Sequence, residues 1–312
     1  MTQTQNSQPP ATAGAWHGDH AHELLQVDRI GEEHFLARNS QPNRAGGLFG
    51  GQIVGQGLMA ALQTAPEKRR PSEVRIVFLL AGAGLTPIEY KVDTLMEGGS
   101  FSVRRVRVEQ ADRLIAELQV SFHKVEQGYE HSDSLDVILP PPEELLSLET
   151  LAEKFRDRIN PAAFSSLTRL KPVELRPVNP DDFLLRIADQ PECWYWMRAR
   201  APLPAEPGIH SAVLGYMSDW WFSTCGVMSH VECNVSPTLF ATSLNHTLWL
   251  HRPVRADEWL LFHARSPVAA GARSLCLGDI WSRDGLRVAS MAQEALFRPR
   301  LASHPDPTSQ RN

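Results

Sequence analysis

The 312-residue chain has little of what marks the more specialised classes of protein. Its four cysteines, Cys193, Cys225, Cys233 and Cys276, include no closely spaced pair. That excludes a disulfide framework and the common zinc and dithiol motifs, and reads as reduced thiols. No run approaches the roughly 20 apolar residues of a membrane span. The polar first twenty residues lack the basic-then-apolar order of a signal peptide, so a cytoplasmic location is expected. Neither sign of charge dominates: 31 Lys and Arg against 36 Asp and Glu leave a formal net charge of -5. This argues against nucleic acid as a partner. No Gly-x-Ser-x-Gly elbow occurs, and no Gly-Lys-Ser/Thr follows the glycines at Gly46–Gly51, so neither that class of serine hydrolase nor a Walker site is expected.

What is present is the composition of a soluble globular protein, 42% hydrophobic and 21% charged. At about 150 residues per domain the length suggests two domains. Residues 1–22, rich in Gln, Thr, Ala and Pro, are expected to have no fixed structure. His17, His20 and His22 within them are read as solvated, and no metal site is expected.

Apolar spacing predicts a tightly enclosed helix over Gln52–Ala65, opened by Gly50 and Gly51, whose free N–H groups could receive a carbonyl oxygen or a phosphate. An equally good reading makes those glycines a device for close packing. Strand-like runs follow at Val74–Leu80, Ile88–Leu95, Phe101–Glu109 and Leu114–Phe122, the last alternating strictly. Residues 127–184 read as a linker with short helical pieces. Beyond it the same order recurs: a helix at Ile209–Trp221, then strands at Phe240–Leu250, Glu258–Arg265, Arg273–Ser282 and Leu286–Phe297. The expected class is α+β, with each half an antiparallel sheet burying one face against a helix.

The two halves differ in polarity. Aligning Phe122 with Phe297 sets Gln293 opposite Leu118, so an otherwise apolar strand face carries one amide that needs a polar partner. Asp219, in the apolar stretch Ile209–Trp221, is the candidate, and the first-half helix has no acidic residue to match it. His210, His246 and His251 lie on different elements without ligand spacing and are read as structural. Trp220, Trp221, Trp249 and Trp259 are read as core and pocket walls.

Several stretches resemble the acyl-CoA thioesterase II (TesB-like) family: Gly47–Gln56, Gly99–Val106, Glu174–Val178, Leu214–Asp219, Asn245–Pro253 and Ala292–Glu294. The similarity runs from about Leu24 to Arg298. It implies a double hotdog fold, two repeats each with an antiparallel sheet wrapped around a central helix. The N-terminal hotdog is then expected at residues 23–126 and the C-terminal one, with the catalytic residues, at residues 185–300, followed by a tail at 301–312.

The resemblance further implies hydrolysis of fatty acyl-CoA by a water held by Asp219, Ser243 and Gln293. Thr242, beside Ser243, is the competing hydroxyl. Gly50, Gly51, Arg104, Arg105 and His246 are the expected substrate-binding residues. No cofactor is implied, acyl-CoA is the expected partner, and a dimer or tetramer of the chain is expected. The chain departs from the family pattern at Asn245-His246 (usually Asp-His), at Phe78–Gly82 (usually Phe-Leu-Arg-Pro-Gly) and at Arg75 (usually His). Two other functions stay open on sequence: a non-catalytic acyl-CoA-binding hotdog module, and a hotdog enoyl-CoA hydratase.

Overall fold

The computed structural model of the protein describes residues 14–16, 18–43, 46–185, 187–231 and 239–299. Among them twelve strands form one sheet. In chain order they are β1 (Asp28–Arg29), β2 (His34–Ala37), β3 (Arg69–Phe78), β4 (Ile88–Glu97), β5 (Phe101–Gln110) and β6 (Arg113–Lys124) in the first half. The second half supplies β7 (Val173–Pro177), β8 (Glu192–Ala199), β9 (Leu239–Leu250), β10 (Leu260–Ala270), β11 (Arg273–Ser282) and β12 (Arg287–Pro299). The sheet order is β1-β2-β4-β5-β6-β3-β9-β12-β11-β10-β8-β7, with every pair antiparallel. The second half therefore repeats the first in reverse across the β3–β9 seam.

Period-2 burial explains the strands. In β6, Ala116, Leu118, Val120 and Phe122 are buried while Glu117, Gln119 and Ser121 are not. Two helices lie against the buried face, α1 (Gly50–Leu62) and α2 (Pro207–Ser218). They are apolar nearly all round because the sheet covers one side and the other helix covers another.

The helices run antiparallel and approach backbone to backbone. A Cβ on Gly51 would lie 2.4 Å from the carbonyl oxygen of Tyr216, and one on Gly55 would lie 3.0 Å from that of Ala212. The glycines are there because no larger residue fits the crossing. The C-terminal end of α1 is finished by Arg104, which donates to the Thr64 carbonyl (2.8 Å) and hydroxyl (3.1 Å) and pairs with Glu97 at 2.7 Å.

Four expectations differ from the structure. Part of the segment 1–22 is ordered: Gly14–Ala15 pairs with Asn39–Ser40, and a helical turn at Ala21–Leu24 buries Ala21 and Leu24 completely. Buried amides fix it, since Gln56 Nε2 donates to the Leu24 carbonyl at 2.8 Å and receives Tyr90 Oη on its own oxygen at 2.8 Å. Residues 1–13, His17, Cys233 and the tail 301–312 lie outside the described residues. Second, the stretch read as linker contains β7, the edge strand of the second half. Third, the second central helix ends at Ser218 rather than at Trp221. Fourth, Trp249 is 39% exposed, and Trp259 joins Trp196 and Trp281 in a separate cluster, so neither walls a pocket at the helices.

The helix crossing yields a prediction. Gly51→Ala, with no room at the crossing, should cost about 2 kcal/mol or more of stability and lower the melting temperature by several degrees. Gly99→Ala, where a Cβ meets nothing within 4 Å, should leave it unchanged in the same thermal melts.

Candidate active site

Asp219 is the residue immediately after α2 and only 8% exposed. Its position puts the carboxylate at the negative end of α2, which disfavours charge, and at the first turn of α1, which favours it. Gly50 is so close that a Cβ there would sit 2.6 Å from Asp219 Oδ2, and the N–H of Gly51 donates to the carboxylate. The chain leaves α2 through Trp221, held at a φ of 60°, a left-handed conformation that aromatic residues seldom adopt.

Gln293 joins the site together. Its Nε2 donates to Asp219 Oδ1 at 2.7 Å and to Ser243 Oγ at 2.6 Å, using both amide hydrogens. It is completely buried and lies behind Asp219 and Ser243. Ser243 reaches it because β9 carries a bulge between Ser243 and Asn245. In an unbroken strand the inward face that holds His246 would continue through Leu244; the extra residue turns Ser243 inward instead. Between the two candidate hydroxyls, Ser243 is the one bonded to Gln293, and Thr242 is exposed at the mouth.

Burial pushes the Asp219 carboxyl up to about 6, with the hydrogen bonds from Gln293 and Gly51 pulling the other way. Burial likewise pushes His246 down to about 4. Asp219 and Ser243 open onto a cavity of about 440 Å³, bounded by Gly50 at the start of α1 and by the apolar residues Leu48, Ile53, Phe78, Leu79, Leu80 and Phe240. This is an open cavity of mixed polar and apolar lining that reaches a carboxylate, a hydroxyl and a helix N-terminus, the parts needed to place a water against a carbonyl carbon.

The structure thus brings together Asp219, Ser243, Gln293 and Gly50. Four other expected residues are placed elsewhere or differently. Gly51 is buried and spends its N–H on Asp219. His246 is fully buried, with Nε2 2.8 Å from Ser218 Oγ, so it cannot touch substrate. Arg104 is 3% exposed and consumed by the end of α1. Arg105 points to the opposite face of its strand, where it pairs with Asp93 at 2.9 Å. Neither arginine lines the cavity.

Sequence reasoning missed Ser218, although it directly precedes Asp219, and it missed Phe78, whose ring lies 3.0 Å from where a Gly50 Cβ would be. Among the described residues, His20, His22 and Glu23 have donor atoms within 4.8 Å of one another, and none of the three lines this cavity. No helix among the described residues is long and apolar enough to cross a membrane.

The raised carboxyl gives a stability prediction. Because Asp219 moves from 3.8 to about 6 on folding, the folded chain holds the proton more tightly, and stability falls as pH rises through that window. The full penalty, about 3 kcal/mol, is present above it. Asp219→Asn removes the group, so urea unfolding should show its advantage over the parent growing by up to about 3 kcal/mol between pH 4 and pH 8.

Residues 39–123 match the acyl-CoA thioesterase N-terminal domain and residues 142–297 the acyl-CoA thioesterase C-terminal domain. The chain is 34% identical over 283 residues to acyl-coenzyme A thioesterase 8 of Homo sapiens, covering 88% of each chain. It is 30% identical over 281 residues to acyl-CoA thioesterase 2 of Haemophilus influenzae, covering 88% of this chain and 96% of that one. The crystal structure of the acyl-CoA thioesterase II TesB2 from Mycobacterium marinum superposes with a TM-score of 0.72 at 29% identity, over 89% of this chain and 98% of that one. With two domain matches in order and two hotdog sheets joined at one seam, the chain belongs to the TesB-like acyl-CoA thioesterase family and has its double hotdog fold.

Proposed function

We propose that the protein hydrolyses fatty acyl-CoA thioesters to the free acid and CoA, with Asp219 as the general base. The observation that carries the reading is the buried Asp219 carboxylate, tied through the Gln293 amide to Ser243 and facing the cavity beside Gly50. In the ionised state, Oδ1 is engaged by Gln293, which leaves Oδ2, on the Gly50 side, to accept a proton from water. Ser243 Oγ accepts from Gln293, so its own O–H is free to donate to that water and aim a lone pair at the thioester carbon.

As the water oxygen bonds to the carbonyl carbon, its proton passes to Asp219. The carbonyl oxygen takes the negative charge and is met by the N–H of Gly50, which opens α1 and has no acceptor within the helix. Collapse of the tetrahedral intermediate breaks the C–S bond, and Asp219 returns the proton so that CoA leaves as the thiol. Gln293 acts from behind, holding both oxygens at their separation without touching the acyl group. The apolar part of the lining, Leu48, Ile53, Phe78, Leu79, Leu80 and Phe240, suits an acyl chain.

The same reading takes acyl-CoA as substrate without metal or redox cofactor, in fatty-acid metabolism. It places the chain in the cytoplasm, a location supported by free, buried thiols at Cys193, Cys225 and Cys276. It has the chain working as a homo-oligomer, supported by exposed Leu79, Leu80 and Phe240 at the cavity mouth. The N-terminal domain is assigned to residues 23–126, the link to the stretch after it, and the catalytic domain to the second half.

Two results test the mechanism in a free-thiol assay across short, medium and long acyl-CoAs. Asp219→Asn should lose at least about 100-fold in kcat, the ordinary contribution of a positioned base, while melting at or above the parent temperature. The parent's kcat/KM should rise with pH to a plateau above about 6, following ionisation of Asp219. Near-normal turnover by Asp219→Asn, or a flat profile from pH 5 to pH 8, would overturn the assignment.

A further inference from the structure

His246 has no role in the chemistry above, yet it is buried beneath it. It stands directly across the β9–β12 pair from Gln293, and directly across the β9–β3 pair from Ile76. Its Nε2 lies 2.8 Å from Ser218 Oγ, and the edge of its ring meets Phe222, with centroids 5.9 Å apart. Two atoms here are buried with no hydrogen-bond partner, His246 Nδ1 and Gln293 Oε1. They belong to side chains facing each other on adjacent strands, where a pair of orphaned polar atoms would be costly unless they bond to each other.

The donor directions are then forced in sequence. An ionised Asp219 must receive N–H rather than face a carbonyl, so the Gln293 amide has to present Nε2 to it, as it does at 2.7 Å. That turns Oε1 towards His246. To satisfy Oε1, the imidazole must carry its proton on Nδ1, which makes Nε2 an acceptor, and the acceptor is supplied with the Ser218 hydroxyl proton. Ser218 Oγ is also 2.8 Å from the Gly215 carbonyl, and donation there instead would leave Nε2 as the donor and Nδ1 as a lone pair against Oε1. In the first half the corresponding cross-strand pair is Ile76 and Leu118, with no polarity to transmit.

We infer that His246 is a positioning residue, locked as the neutral Nδ1–H tautomer by Ser218, whose bond to Gln293 Oε1 keeps the Gln293 amide turned towards Asp219 and Ser243. The chain Ser218 O–H to His246, His246 Nδ1–H to Gln293, and Gln293 N–H to Asp219 and Ser243 has one consistent polarity. Burial keeps the ring neutral, its pKa lowered to about 4. The surrounding groups are Ser218, Gln293, Ile76 and Phe222, and Asp219, reached through Gln293, is the charged end of the network. The kinetic consequence rests on the catalytic reading given above; the tautomer does not.

Side-chain 15N NMR of the full chain labelled on histidine, with His246 assigned by its loss in a variant, should report Nδ1 protonated and Nε2 unprotonated from pH 7 to pH 8, where Asp219 is ionised. The reverse pattern would overturn the inference whatever the enzyme's activity. Two substitutions separate the ring nitrogens: His246→Asn keeps an N–H near the Nδ1 position, while His246→Gln keeps one only near Nε2. His246→Asn should stay within about threefold of the parent kcat, and His246→Gln should lose about tenfold or more with KM unchanged, the loss of one positioning bond. Equal loss, or no loss, in two variants that melt normally would overturn the positioning role. Gln293→Leu turning over like the parent would instead count against the catalytic reading, leaving the tautomer measurement to stand by itself.

Discussion

The carboxylate of Asp219 sits where the end of one buried helix meets the start of another, and the site depends on keeping it charged there. Burial and the α2 terminus oppose the charge; the Gly51 N–H and the Gln293 amide support it. Those supports exist only because α1 and α2 cross at backbone contact. The crossing in turn requires Gly51 and Gly55, where any side chain would strike the carbonyls of Tyr216 and Ala212. Helix packing and carboxylate chemistry are thus one constraint.

The second half of the molecule differs from the first where this constraint acts. Across the seam, β3 and β6 place Ile76 beside Leu118, while β9 and β12 place His246 beside Gln293. One repeat has a plain core and the other has a polar pair buried at the same level of the sheet. Unpaired, that amide and imidazole would each cost stability. Joined to Ser218, Ser243 and Asp219, they form a network that ends at the cavity. A fold duplicated in sequence has been made asymmetric by a few side chains, and the chemistry belongs to the polar copy.

Much of this was legible in the chain. The alternation in Leu114–Phe122, the apolar spacing of both central helices and the register that sets Gln293 against Leu118 led to the sheet, the helices and the Asp219–Gln293 contact. Family motifs added Ser243. What was not legible depends on packing between distant segments. Arg104 and Arg105 are neighbours in sequence on opposite faces of β5, and nothing local tells that one is consumed by the end of α1 and the other by Asp93. The bulge that selects Ser243 over Thr242 lies in how β9 pairs with β12. The order in residues 14–16 and 18–22 comes from Gln56 and from burial of Ala21 and Leu24, contacts that a polar composition conceals. The edge strand Val173–Pro177 is short and surrounded by linker-like sequence, so only its pairing with β8 identifies it.

With Asp219 as a base acting on water, the oxygen that enters the product must come from solvent and none may come from the protein. A single turnover in 18O-water, with excess enzyme over acyl-CoA and mass analysis of both the released acid and the Asp219 peptide, measures this directly. One solvent oxygen in the acid and none in Asp219 is the predicted result. Label in the aspartate, with unlabelled acid from the first turnover, would show that the carboxylate had attacked the thioester itself, and would contradict the mechanism.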